Sequence, residues 1–181
     1  MSATKVVTGK VRLSYCTLFE PRAPKENPDG EKKYSVTLLI PKSDVETIKK
    51  IKAAQEAAIA DKWPGKRPPK IATTLHDGDG VKEKTGEPYG AECSGHWVMS
   101  VSSKQRPSVV NAQLQAILDP SEVYSGCYGR ASINAYAYDV SGNRGTSFGL
   151  MNVQKLADGE PLSGRSRAED DFTAVAEDFL S

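Results

Sequence analysis

The sequence predicts a mainly β chain that closes into a small, mostly antiparallel barrel of about five strands, with one helix inserted after the second. Three observations predict it. Alternation of apolar and polar residues dominates the body, beginning with Val7, Gly9, Val11, Leu13 and Tyr15 against Thr8, Lys10, Arg12, Ser14 and Cys16, the period-two pattern of a half-buried strand. Only one stretch carries helical spacing. Two long alternating runs near the end of the body are joined by a turn sequence. A sheet of this size loses its edges by closing, although periodicity alone also allows a different barrel or a sandwich.

Each element has its own signal. Residues 7–16 read as one long first strand, and residues 20–31, with Pro21, Pro24, Pro28 and Gly30 among basic Arg22 and Lys25, as a loop. Residues 34–40 are rich in β-formers and stop at Pro41. The helix opens at Ser43-x-x-Glu46, a capping-box pattern. It carries Val45, Ile48, Ile51, Ala54, Ala58 and Ile59 on one side, and ends at Pro64-Gly65. That apolar stripe is expected to pack on the sheet. Residues 66–95 are loop-rich, with a short strand at 71–75. Residues 96–103 form a third main strand, with Trp97 in phase with Met99 and Val101 and so expected mainly in the core. A shorter strand is expected within 108–118, before a turn at Asp119-Pro120-Ser121-Glu122. Residues 127–140 and 146–156 are two strands around the turn Ser141-Gly142-Asn143-Arg144-Gly145. From residue 157 the composition changes to a flexible linker and an acidic segment expected to be disordered. The division is therefore a body at 1–156 and a tail at 157–181.

Composition narrows the class of function. The 181 residues are enough for one domain with a real core. No run approaches the ~18 apolar residues of a membrane span, and residues 1–10 lack the apolar core of a signal peptide, so a cytoplasmic location is expected. Three scattered cysteines, Cys16, Cys93 and Cys127, imply no disulfide framework. The formal net charge of +1 hides an asymmetry. Five acids and no Lys or Arg lie in residues 168–181, leaving 24 basic against 18 acidic residues elsewhere. A basic body with an acidic tail points to nucleic acid.

The run from Tyr128 to Tyr138 is the most informative stretch. One face holds Gly129, Ala131, Ile133, Ala135 and Ala137, suited to tight packing; the other holds Tyr128, Arg130, Ser132, Asn134, Tyr136 and Tyr138. Aromatics beside a guanidinium and hydrogen-bonding groups suit stacked bases next to phosphates. Packing against a neighbouring element is the competing explanation for the tyrosines. Basic residues interleave with aromatics again at Lys10 and Arg12 near Tyr15, at Lys32-Lys33-Tyr34, and at Lys82 and Lys84 before Tyr89. Lys10, Arg12, Lys32, Lys33, Arg130 and Arg144 are candidate phosphate contacts, and Tyr15, Tyr34, Tyr128, Tyr136 and Tyr138 complete the candidate DNA surface.

Catalytic patterns are thin. Cys93-x-x-His96 with His76 falls short of four well-spaced zinc ligands. Asp77-Gly-Asp79-Gly80 lacks the later ligands of a calcium loop and reads as a turn. Asp77 and Asp79 with Glu87 or Glu92 could be drawn as a metal-dependent nuclease site, and a structural virion barrel is the other alternative. No catalytic residue, metal or cofactor is expected. In the tail, Asp170, Asp171 and Phe172, then Glu177, Asp178 and Phe179, place acids around single phenylalanines that can anchor in a basic, apolar-floored pocket on a partner, and the same acids can regulate binding by competing with DNA for the body's basic groove.

The order of these pieces resembles a family of OB-fold single-stranded DNA-binding proteins encoded by tailed bacteriophages. The resemblance rests on Thr8-Gly-Lys-Val-Arg-Leu-Ser-Tyr15, Lys33-Tyr-Ser-Val-Thr-Leu-Leu-Ile-Pro41, Asp77-Gly-Asp-Gly80, Gly129-Arg-Ala-Ser-Ile-Asn-Ala-Tyr136, Gly145-Thr-Ser-Phe-Gly-Leu-Met-Asn-Val-Gln-Lys155 and the acidic end. It implies an OB barrel and sequence-independent binding of single strands in phage replication or recombination, without catalysis. It also implies a tail that contacts a polymerase, helicase or recombinase. Leu180 and Ser181 follow Asp178-Phe179, so a terminal Phe carboxylate, as in replication-type relatives, is lacking here. A homodimer is compatible with the sequence, but no residue argues for it.

Overall fold

The computed structural model describes residues 3–23, 27–82 and 85–162. The acidic tail lies outside them. Among the described residues, eight strands and one α-helix follow in chain order: β1 (Lys5–Val7), β2 (Val11–Arg22), β3 (Lys33–Pro41), α1 (Val45–Lys62), β4 (Leu75–Asp77), β5 (His96–Ser103), β6 (Ser108–Val110), β7 (Tyr128–Val140) and β8 (Asn143–Ala157). The sheet order runs β7-β2-β3-β5-β8, and β8 pairs with β7 to close a ring of five long strands. All pairings in the ring are antiparallel except β5 with β8, which meet in parallel at Ser102 and Gly149. This is the expected barrel.

Alternation fills it. Val11, Leu13, Leu18, Val36, Leu38, Ile40, Met99, Val101, Ile133 and Phe148 are at most 1% exposed and form one core. The small face of β7 does what its composition suggested: α1 packs against β7 and β1, with Ile48, Ile51, Ala54 and Ala58 joining Ala131 and Ala135 in the core. Larger side chains there would hold the helix off. Ala135→Leu is expected to cost about 1–3 kcal/mol by overpacking, read as a lower urea midpoint with an unchanged slope.

Several boundaries differ from the sequence expectation, each for a local reason. The first strand is broken between Val7 and Val11, because the chain turns there against the start of α1. Gly9 N–H donates to Thr47 Oγ1 (2.9 Å), and a Cβ on Gly9 would lie 2.6 Å from Asp44 Oδ2. The helix cap is Asp44 rather than Ser43: its carboxylate accepts from Thr47 N–H (3.2 Å) and Thr47 Oγ1 (2.7 Å). Val45 is consequently 67% exposed. The 71–75 strand is instead β4, set by the pairing of Leu75 with Met99, while Ala72 makes a single bridge to Gly145. The β7–β8 turn has two residues, not five. Ser141 (φ 53°) and Gly142 (φ 85°) take the left-handed conformation of a type I′ turn.

Other corrections concern the surface. β2 runs on to Arg22 through what reads as loop, with its register against β3 shifted between Ser14 and Thr17. Trp97 is only partly buried at the rim of the core, its ring flanked by the ammonium groups of Lys42 (5.6 Å) and Lys52 (5.5 Å). Ala157 closes β8, and residues 158–162 fold back as a strap. Gly159 and Tyr124 exchange hydrogen bonds, and Leu162 N–H donates to Ser125 O (2.8 Å). The described body thus extends past 156. Burial pushes the Cys16 thiol up to about 12, with Cys127 nearby adding to the effect. Among the described residues no helix is long and apolar enough to cross a membrane.

Candidate nucleic-acid interface

Two faces of the ring must be compared, because the aromatic and basic candidates fall on both. The outer face of β7 carries the residues the sequence emphasises, and most are engaged within the protein. Lys10 Nζ lies 4.9 Å and the Arg12 guanidinium 5.7 Å from the Tyr128 ring centre. Arg12 also donates to Gly126 O (3.2 Å) and Glu160 O (2.5 Å), which ties the strap to the barrel. Arg130 Nε donates to Gln154 Oε1 (2.6 Å), and Asn134 Oδ1 accepts from Thr4 Oγ1 (2.8 Å). Ser132 Oγ is buried with no hydrogen-bond partner among the described residues, and Ser132 and Arg130 line a groove of about 270 Å³ with Val7, Val110, Leu114 and Gln154. Tyr136 remains 45% exposed. Tyr138 lies over Gly145, where a Cβ would collide with its ring and hydroxyl.

Across the ring, the outer faces of β3 and β5 form a different surface. Ser35 pairs with Ser102 and Thr37 with Ser100, and Thr37 and Ser100 share a hydrogen bond (3.2 Å). Small hydroxyl residues make a flat polar floor that leaves room above the sheet. At one side stands Tyr15, beside the positions where Ser14 and Thr17 of β2 face Thr37 and Ser35. Its backbone is left-handed (φ 47°) at the register shift, and the ring is 74% exposed. A non-glycine residue in that conformation is strained, and such strain concentrates at functional sites.

At the other side lies a groove of about 510 Å³ lined by Thr73, Thr74, His76, Lys82, Thr85, Tyr89, Val98 and Ser100. Lys82 Nζ is 5.9 Å from the Tyr89 ring centre. The tip of the β7–β8 hairpin borders it: Ala72 N–H donates to Arg144 O (2.9 Å), and Thr146 N–H donates to Ala72 O (2.9 Å). Arg144 Nε itself donates to Asp139 (3.1 Å). At the loop end of the β2–β3 hairpin, Arg22 pairs with Lys33, and both are exposed beside exposed Lys32. Tyr34 falls in phase with Val36 and is half-buried. The structure therefore brings Tyr15, Lys32, Lys33 and Arg144 around one face and leaves Lys10, Arg12, Tyr128, Arg130 and Tyr136 on another. Nothing in the sequence marks His76 as part of a surface groove, and Tyr89 is legible there only as an aromatic following Lys82 and Lys84.

The acidic turn beside this groove is a staple. Lys42 Nζ lies 2.6 Å from Asp77 and 2.7 Å from Asp79, and Asp79 Oδ1 accepts from Gly95 N–H (3.0 Å) and Ser94 Oγ (3.1 Å). Gly78 has no room for a Cβ, which would meet the carbonyls of Cys93 and His96. The hydrogen bond from Lys42, then that from Gly95, lowers the Asp79 carboxyl to about 2. A carboxyl lowered by folding adds stability above its unfolded pKa, and that stability is lost as pH falls through the folded value. Asp79→Asn is thus expected to reduce stability at neutral pH and to flatten the decline between roughly pH 4 and pH 2, measured by urea titration across that range. Cys93 is buried with Leu39 and Val98, and His96 Nδ1 is 2.8 Å from Ser94 O. Among the described residues no cluster of three His, Cys, Asp or Glu side chains could hold a metal.

A five-strand ring in the order β2-β3-β5-β8-β7, closed by one parallel contact, is the OB-fold, whose second and third ring strands and flanking loops form its ligand face. Those strands are β3 and β5. The chain belongs to the family of the Enterobacter phage Enc34 ssDNA-binding protein, whose model matches residues 4–180. The single-stranded DNA-binding protein of bacteriophage Enc34, solved in complex with ssDNA, is 30% identical over 90% of this chain and 91% of its own, with a TM-score of 0.74. Protein p50 of Acyrthosiphon pisum secondary endosymbiont phage 1 is 33% identical over 190 residues, covering 97% of this chain and 98% of its own. The gp2.5 single-stranded DNA-binding protein of bacteriophage T7 has a TM-score of 0.61 at 13% identity over 92% of this chain and 99% of its own, a likeness of fold.

Proposed function

We propose that this protein coats single-stranded DNA without sequence preference during phage DNA replication or recombination, in the host cytoplasm, as a binding protein rather than an enzyme. The match to the Enc34 protein solved with ssDNA, over nine-tenths of both chains, is the observation that carries the reading. The geometry supports a particular path. Bases stack on Tyr15 and Tyr89 at the two sides of the Ser35–Thr37–Ser100 floor, and each stack is worth roughly 1–3 kcal/mol with any base. Lys32, Lys33 and Arg22 flank one end of the path, and Lys82 and Arg144 the other, each adding a phosphate contact. Tyr138 lies at the hairpin edge of this path. Tyr136, with Arg130, Lys10 and Tyr128, would continue it only if the strand wraps around β7, where Tyr136, Arg130 and Lys10 are exposed and Tyr128 is half-buried.

The acids and phenylalanine at the far end of the tail, Glu177 to Phe179, are proposed to serve protein partners of the replication or recombination machinery. The test of the reading is a titration of labelled oligo-dT and a matched duplex at several salt concentrations. Preference for the single strand is expected, with log affinity falling against log salt by roughly 0.7 per phosphate contact. Equal binding of both, or no salt dependence, would remove it.

A further inference from the structure

One surface of the barrel lies beside the DNA path and shares only Arg22 with it. β2 pairs with β7 only at Val11 and Arg12, so from Cys16 to Arg22 its second edge carries no strand pairing, and this stretch lines grooves together with residues from 106 to 123. Two adjoining grooves open there, of about 470 and 420 Å³, sharing Phe19, Arg106 and Leu118. The floor is apolar and in part exposed: Leu118 is 82% and Leu114 72% exposed. Leu114 is held outward in a left-handed backbone conformation (φ 66°) by a turn in which Asn111 Oδ1 accepts from Gln113 and Gln115 N–H (2.9 and 3.0 Å). Arg106 lies over the Phe19 ring at 5.8 Å, and Arg22 lines the same groove, with Glu20 as its one opposing charge. An apolar floor rimmed by guanidinium groups selects an anionic segment with an aromatic anchor.

We infer that this groove docks the chain's own Asp170-Asp171-Phe172 segment, with the Phe172 ring on Phe19 and Leu118 and the two carboxylates on Arg106 and Arg22. Three observations on the molecule argue for that occupant. The described chain leaves off at Leu162, hydrogen-bonded to Ser125 (2.8 Å), and Val123, two residues earlier, lines the groove. Phe172 is ten residues farther on, a span of up to roughly 35 Å when extended, so it reaches the groove easily. A tether this short gives an effective concentration of about millimolar, falling with length, which favours Phe172 over Phe179. Charge is complementary, since residues 168–181 hold five acids and no base. Held so, the first acidic segment occupies the body while the second, Glu177 to Phe179, is presented to other proteins.

The chain has four phenylalanines, Phe19, Phe148, Phe172 and Phe179, which makes fluorine NMR of the full-length protein carrying 4-fluorophenylalanine a direct test. The Phe172 resonance, assigned with Phe172→Leu, is expected away from the solvent-exposed position of Phe179, at a shift independent of protein concentration. Leu118→Asp with Arg106→Glu should return it to that position. Asp170→Lys with Asp171→Lys should do the same without touching the barrel. Coincidence of Phe172 with Phe179 in the unaltered protein would overturn the inference. So would a displaced Phe179 in place of Phe172, or a displacement that vanishes on dilution, which would assign the groove to a second copy's tail.

Discussion

Exchanging both Tyr15 and Tyr89 for alanine is expected to weaken binding of a labelled oligo-dT at least about 30-fold, from two lost stacks of roughly 1–3 kcal/mol each. Tyr136→Ala is expected to change it less than about threefold, fluorescence anisotropy being the measurement for all three. The difference follows from the two faces of the ring. On the β7 side of the ring the polar and basic residues are spent on neighbours: Arg12 of β2 on the carbonyls of Gly126 and Glu160, Arg130 on Gln154, Asn134 on Thr4. On β3 and β5 the floor is made of small hydroxyls, with a protruding ring at one side and the Tyr89 groove at the other. Tyr15 is 74% exposed, so its removal should leave the melting temperature nearly unchanged, and any loss of affinity then reports on DNA contact. The salt slope should also stay the same, because no phosphate contact is removed.

The largest effect on stability is expected at Phe148. It is the bulkiest fully buried side chain of the core and sits on β8 opposite Ala135 of β7, where the two longest strands close the ring. Phe148→Ala is expected to cost about 3–5 kcal/mol, through lost transfer energy and the cavity left behind. Much of a small domain's total stability would go with it. Chemical denaturation followed by intrinsic tryptophan fluorescence, from Trp63 and from Trp97 at the core rim, measures this. A loss below about 1 kcal/mol would mean that the ring can collapse around the gap, and that closure does not depend on this contact.

Much of this fold can be read from the sequence, because its signals are local and periodic. The β7 run separates into a small face and a polar face, and that separation survives in the structure, down to the alanines that receive α1. The helix stripe and the hairpin are legible for the same reason. What is hidden depends on contacts between distant segments. Nothing in the sequence marks Tyr15 for a left-handed backbone; the register shift between β2 and β3 puts it there. The Tyr89 groove gathers residues from 73 to 100 around a turn pinned by Lys42, and no spacing rule links Lys42 to Asp77 and Asp79. The β7 tyrosines stand out by composition, but whether a ring is free or covered is decided by partners such as Lys10, Gly145 and the strap after Ala157.

Single-stranded DNA is proposed to run over β3 and β5 between Tyr15 and Tyr89. Photocrosslinking the full-length protein to an oligonucleotide with iodouracil substituted at successive positions, followed by peptide mapping, locates that path. Adducts are expected on Tyr15, Tyr89 and His76. Adducts confined to Tyr136 and its β7 neighbours would contradict it and move the path to the opposite side of the ring.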